Sequence, residues 1–282
     1  RRGNRDATSV ESGFVGHPVF SPDGRWLAFD KRGEGAKPDI WLRDLRRGVS
    51  SRFTTAPEGD FAPLFSPDGE RLFFAREAEG GKSSLFVRPL AIGSEQELHT
   101  AEGVMAPLAV TPDGQRLVFA KLAEGAYDLF ALDLANGNEV APITQTKGFA
   151  EFRADLSPDG RWLTLQSDES GTGEIYVQPF PGPGRRWQLS TGGGFFPVWS
   201  RDGSEIFFRD GQGRLSHVAV SAGTEFDAGV PEALFPLAVG IGNSVRKFVV
   251  SPDGQRFLAQ VPTSEAGKPT SVIVGWDASL PQ

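Results

Sequence analysis

Short apolar runs recur in phase along this chain, each following a polar turn of nearly constant spelling. Six residues past the first turn position stand Leu27, Leu72, Leu117, Leu163, Ile206 and Phe257. Two further on are Phe29, Phe74, Phe119, Leu165, Phe208 and Ala259, and the position between is mostly apolar as well. A strand that is apolar on both faces must be covered on both faces. The next strand alternates, at Ile40 and Leu42, Leu85 and Val87, Leu129 and Ala131, Ile175 and Val177, and Val272 and Val274. A shorter, more polar strand follows at 52–54, 98–100, 143–144 and 187–190, then a glycine (Gly59, Gly103, Gly148, Gly192) that leads into the next unit.

The turn is Ser-Pro-Asp-Gly at residues 21–24, 66–69, 157–160 and 251–254, with the variants Thr111-Pro112-Asp113-Gly114 and Ser200-Arg201-Asp202-Gly203. Its first residues are separated by steps of 45, 45, 46, 43 and 51. Proline pre-sets the second turn position, aspartate tolerates the third, and glycine accepts the positive φ that returns the chain to a strand. A repeat of this length with four strands per unit is the mark of propeller blades. The fold class expected is all-β: a six-bladed β-propeller of four-stranded antiparallel blades, in one domain over 1–282. The last unit lacks an outer strand. Residues 7–10 align with the outer strand of the first unit, so the N-terminal strand is expected to close the sixth blade and cover its edge.

Composition narrows the chemistry. A net charge of −7 and a pI near 5.1 leave no basic stripe for nucleic acid. With no cysteine there is no disulfide and no thiolate metal site. No apolar run reaches the length of a membrane span, so direct membrane insertion is not expected. The chain starts at arginine and its one methionine is Met105, which reads as an excised or processed part of a longer product.

Phe-Ser-Pro-Asp-Gly-x-x-Leu-x-Phe (65–74) followed by an Ile-Tyr/Trp-Val type of strand resembles the WD-repeat-like propeller repeat of the TolB family. The stretch from Glu174 to Gly194, continuing through Pro197-Val-Trp-Ser, is similar to the TolB-like propellers attached to bacterial eukaryote-type serine/threonine kinases. So is the ending Ser271-Val-Ile-Val-Gly-Trp-Asp-Ala-Ser-Leu. The resemblance implies a sensor or protein-interaction module of a bacterial regulator, on the extracytoplasmic side of a membrane-anchored protein. It also implies kinship with propellers that gate hydrolases. No binding motif of these families is distinctive enough to be carried onto single residues.

Catalytic signatures are sparse. There is no Gly-x-Ser-x-Gly elbow, and Gly81-Lys82-Ser83 lacks the upstream glycine of a phosphate loop. His17, His99 and His217 fall on an inner, an outer and a third strand of different units, which does not suit a shared metal. Asp168–Glu174 reads as a hairpin loop, not a calcium loop. The six turn aspartates read as turn chemistry.

What differs among the units is the start of the inner strand, just before each turn. There stand His17, Asp60 with Phe61, Met105, Glu151 with Phe152 and Arg153, Phe195 with Phe196, and Arg246 with Lys247. Mixed aromatic faces and charges at a channel mouth suit a protein or peptide partner, or a polar small molecule. Arg153, Arg246 and Lys247 would attract a carboxylate, and Phe195 and Phe196 would add apolar contact. The expectation is a monomeric, non-enzymatic binding module with no cofactor and no metal. A channel-based lyase or hydrolase and a purely structural scaffold are the alternatives.

Overall fold

The computed structural model describes residues 9–11, 14–33, 36–123, 125–144, 148–239, 244–254, 256–261 and 271–273. They fall into two compact units. One, the terminal unit, holds residues 9–107 with 244–273; the other, the central unit, holds 108–239.

Every described sheet is antiparallel. The terminal unit contains β1 (Ser9–Glu11), β2 (Phe14–Phe20), β3 (Trp26–Arg32), β4 (Pro38–Asp44) and β5 (Val49–Arg52). It continues with β6 (Asp60–Phe65), β7 (Arg71–Glu77), β8 (Lys82–Pro89) and β9 (Gln96–Glu102). Strand β10 (Met105–Val110) leads into β11 (Arg116–Ala123), β12 (Ala126–Asp133) and β13 (Glu139–Pro142). The central unit goes on with β14 (Glu151–Leu156), β15 (Trp162–Ser167), β16 (Glu174–Pro179) and β17 (Trp187–Gln188). After these come β18 (Gly194–Trp199), β19 (Glu205–Asp210), β20 (Arg214–Ala222), β21 (Phe226–Ala228) and β22 (Glu232–Pro236). Strands β23 (Phe248–Val250), β24 (Phe257–Val261) and β25 (Ser271–Ile273) belong to the terminal unit.

Strands β2–β5, β6–β9, β10–β13 and β14–β17 each form a four-stranded meander, and a fifth four-stranded sheet has the order β1-β25-β24-β23. The sheet built on β18–β22 departs from the expected equal blades, because it has five strands. Its β20 is nine residues long and pairs β22 along its first half and β21 along its second. This accounts for the long step of 51 after the fifth turn.

Closure by the N-terminus is visible as the pairing of Ser9 with Ile273 and Glu11 with Val272. The expected strand at 7–10 overlaps it; residues 7 and 8, and Val274 onward, lie outside the described residues. The short outer strands end earlier than expected, so Phe53-Thr54, Ile143-Thr144 and Leu189-Ser190 lie beyond them. At these exits the chain leaves the ladder through a hydroxyl: Thr54, Thr144 and Ser190 accept the N–H of Ile40, Leu129 and Ile175.

Second strands fill the core. Leu72, Phe74, Phe65 and Phe86 of one sheet pack on Ala28, Ile40 and Leu42 of its neighbour in the terminal unit. In the central unit Ile206, Phe208 and Trp199 pack on Trp162, Ile175 and Val177.

The turn phrase does more than redirect the chain. Its first residue, Ser21, donates to Asp23 Oδ1 at 2.6 Å and accepts the N–H of Trp26 at 2.8 Å, while Asp23 also accepts the N–H of Arg25. The same hydroxyl-to-carboxylate bond recurs in the other five turns. These hydroxyl donors hold the carboxyls of Asp23, Asp68, Asp113 and Asp202 below the usual aspartate range. Some successive turns also touch. A Cβ on Gly160 would lie 2.7 Å from Cδ of Pro112, so proline in one phrase is seated on glycine of the next.

Candidate binding site at the inner strands

Just before the turn, four inner strands shift register: between Gly16 and Val19, Phe61 and Leu64, Glu151 and Arg153, and Phe195 and Val198. His17, Ala62 and Phe196 take positive φ values of 44°, 52° and 58°, each directly before a proline. Bulges re-aim side chains. In two repeats the residue four positions before the phrase meets the residue nine positions after its start, on the neighbouring strand: His17 with Asp30 and Arg153 with Gln166.

The Arg153 pair is the most developed. Its guanidinium carbon sits 4.0 Å from the Phe152 ring centroid and 4.1 Å from that of Phe196, and Tyr127 stacks behind Phe152 at 5.2 Å. Nη1 donates to Gln166 Oε1 at 2.8 Å. Arg153 is 2% exposed. Burial lowers its pKa to about 9, and the neighbouring Tyr127 offsets part of the effect. Nearby on β18 and β19, Arg209 lies over the Phe195 ring at 5.8 Å and donates to the Asp210 carbonyl. Cations over aromatic faces stabilise each other electrostatically, more so when dry.

Two predicted acids are placed otherwise. Asp60, fully buried, takes Nε and Nη2 of Arg76 at 2.7 and 3.2 Å, and the far side of the same guanidinium takes Glu95 at 2.5 and 3.0 Å. Arg76 also lies 4.4 Å from the Phe86 ring. Burial pushes the Asp60 carboxyl up, and hydrogen bonds from Arg76 and Thr54 only partly counter it. Burial would depress Arg76, but Glu95 and Asp60 outweigh it and keep its pKa above the ordinary arginine value. Glu151, the repeat counterpart of Asp60, accepts from Arg186 at 2.6 Å, and Arg186 also binds Glu169 at 2.7 Å and Gln178 at 2.8 Å.

Of the remaining candidates, Phe61 is half-buried opposite Ala75. Arg246 and Lys247 are half-buried just ahead of β23, where Lys247 gives its carbonyl to Gln260 N. The nine predicted residues therefore divide between units: Glu151, Arg153, Phe195 and Phe196 in the central one, the other five in the terminal one. Among the described residues no three histidine or acidic side chains gather as a metal-binding group. Asp30, Gln166, Arg209 and Gln260, all nine positions past a turn start, were missed in the sequence. A signal was available, since the apolar second strand ends there on a polar residue in four repeats and on alanine in two.

Residues 76–229 match the family model described as the TolB beta propeller domain. Among solved structures, the chain superposes on a TolB candidate from Agrobacterium tumefaciens with a TM-score of 0.66 and 20% identity, over 86% of this chain and 87% of that one. For TolB from Acinetobacter baumannii the values are 0.63 and 17%, over 94% and 64%. For an oligogalacturonate lyase from Vibrio parahaemolyticus they are 0.58 and 14%, over 95% and 92%. At such identities the likeness is one of fold alone. Comparison with curated proteins gave no match.

Proposed function

We propose, for a chain that belongs to the TolB beta propeller domain family, a non-enzymatic binding module that engages a protein or peptide partner through a carboxylate. The chain is an all-β propeller of antiparallel blades, mostly four-stranded. The observation that carries the reading is the Arg153 guanidinium clamped between Phe152 and Phe196. Stacking on both faces directs its N–H donors into the plane, the geometry that matches a carboxylate fork. Phe195, half-buried beside Arg209, offers the apolar and cationic rim.

The alternative of a lyase or hydrolase draws on fold likeness only. Asp60 and Glu151, the acids it would use, are engaged by Arg76 and Arg186. A place on the extracytoplasmic side, as part of a larger regulator of the kinase-attached kind, is a finer proposal. It rests on the resemblance of 174–200 and 271–280. No helix among the described residues is long and apolar enough to cross a membrane.

The test is calorimetric titration with short phenylalanine-containing peptides carrying a free or an amidated C-terminus. The free acid is expected to bind and the amide to bind at least about tenfold more weakly, since a charge-assisted hydrogen bond is worth roughly 1.5–3 kcal/mol. The variant Arg153→Ala should lose the preference. Equal binding of acid and amide, or undiminished affinity in that variant, moves the site elsewhere.

A further inference from the structure

A second polar pair, in the terminal unit, has features that the carboxylate site does not use. Asp30 lies at the centre of it. Its Oδ1 holds Nδ1 of His17 at 2.5 Å and also accepts the N–H of Ala62 from the next inner strand at 3.3 Å. Its Oδ2 is packed on Gly16, where a Cβ would come within 2.5 Å, so only glycine admits the carboxylate there. His17 itself is held at φ 44° inside a strand, a conformation a non-glycine residue adopts at a cost. The two side chains keep 16% and 12% exposure, so they are reachable from solvent.

An independent observation comes from β24. Gln260 is 9% exposed, and its Nε2 donates to the Val15 carbonyl, two residues before His17. A carbonyl can only accept, which fixes the carboxamide orientation and leaves Oε1 on the other side. That oxygen is buried and has no hydrogen-bond partner among the described residues. An unserved buried acceptor costs roughly 1–3 kcal/mol. A carboxylate on Nδ1 favours the tautomer that carries its proton there, which turns Nε2 of His17 into a second acceptor.

We infer that His17, held by Asp30, and Gln260 form a binding site for amide N–H donors, the backbone of a bound peptide being the chemical class that fits. Two acceptors suit a ligand that carries more than one N–H group. The site stands on the terminal unit alone and does not depend on Arg153.

The experiment is an NMR titration of the full chain with N-acetyl-glycyl-glycinamide, a peptide with N–H donors and no charge, followed at the His17 ring nitrogens and the Gln260 side-chain amide. The expected result is saturable movement of both sets of signals. Asp30→Asn keeps the shape but lets residue 30 donate to Nδ1, so Nε2 gains the proton. The ring-nitrogen shifts should report that tautomer, with binding weakened about fivefold for one lost hydrogen bond. Gln260→Leu, checked for an intact thermal midpoint, should weaken it similarly. Absence of saturable movement overturns the inference, and so does an affinity equal to the parent's in either variant. Reading the signals of His17 and Gln260 themselves separates this outcome from any result at Arg153.

Discussion

Arg76, half-buried, and Arg153, fully buried, both pack against phenylalanine rings, yet they are neutralised in different ways. Arg76 lies between two carboxylates, with two contacts to Asp60 and two to Glu95. Arg153 lies between two aromatic faces and donates to the neutral oxygen of Gln166. Their pKa values move in opposite directions, up for Arg76 and down for Arg153. An arginine matched by carboxylates fits a structural lock. One whose charge is penalised by burial is unfavourable for the fold, and unfavourable arrangements persist where function uses them.

The largest expected effect lies on the Arg76 side. Arg76→Met leaves Asp60 buried without its guanidinium and should cost about 3 kcal/mol, read as a fall in the urea midpoint. A loss below about 1 kcal/mol would remove the lock from the account.

On the other side, Arg153→Met replaces a buried cation with a side chain that packs well between rings. Stability is expected to stay level or rise by about 1 kcal/mol, while the preference for free-acid peptides disappears.

The same contrast can be sharpened with pH. Folded Arg153 releases its proton near 9, whereas the unfolded chain keeps it to the ordinary arginine value. Above pH 9 the unfolded state therefore binds more protons, and stability contributed by this group rises with pH. Relative to Arg153→Met, the parent should gain about 1 kcal/mol between pH 7.5 and 10. A relative loss over that interval would contradict the burial argument.

A smaller effect gauges the scaffold common to both regions. Ser66→Ala removes the hydroxyl that bonds Asp68 and Arg71 and should cost about 1 kcal/mol near neutral pH. Asp68 has its pKa lowered on folding, so this contribution is present above the ordinary aspartate range and is lost as pH falls through the folded value. The difference between parent and variant should accordingly narrow in acid.

The scaffold was legible because one phrase repeats: its glycines, its prolines and the apolar second strands follow from turn chemistry and period-two burial. Ser9–Glu11 pairing with β25 was legible by the same alignment. The five-stranded sheet was not, because Phe226–Ala228, inserted ahead of the outer strand Glu232–Pro236, has no counterpart in the other repeats. Nor was the hydroxyl–carboxylate bond inside each turn, since Pro, Asp and Gly account for the turn by themselves. At the inner strands the alignment singled out Phe152, Arg153 and Phe196 as residues that differ among the repeats, without pairing Arg153 with Phe196. It did not find Arg76, which faces Asp60 from the neighbouring strand, or Arg186, which reaches Glu151 from just ahead of β17. Partners set by side-chain reach and burial leave little trace in a local pattern.

The paired urea denaturation of Arg76→Met and Arg153→Met in one buffer at pH 7.5 tests the central contrast most directly. The account predicts a destabilisation of about 3 kcal/mol for the first and none for the second. Equal destabilisation of both would make Arg153 a second structural lock and remove the reason for placing the binding site there.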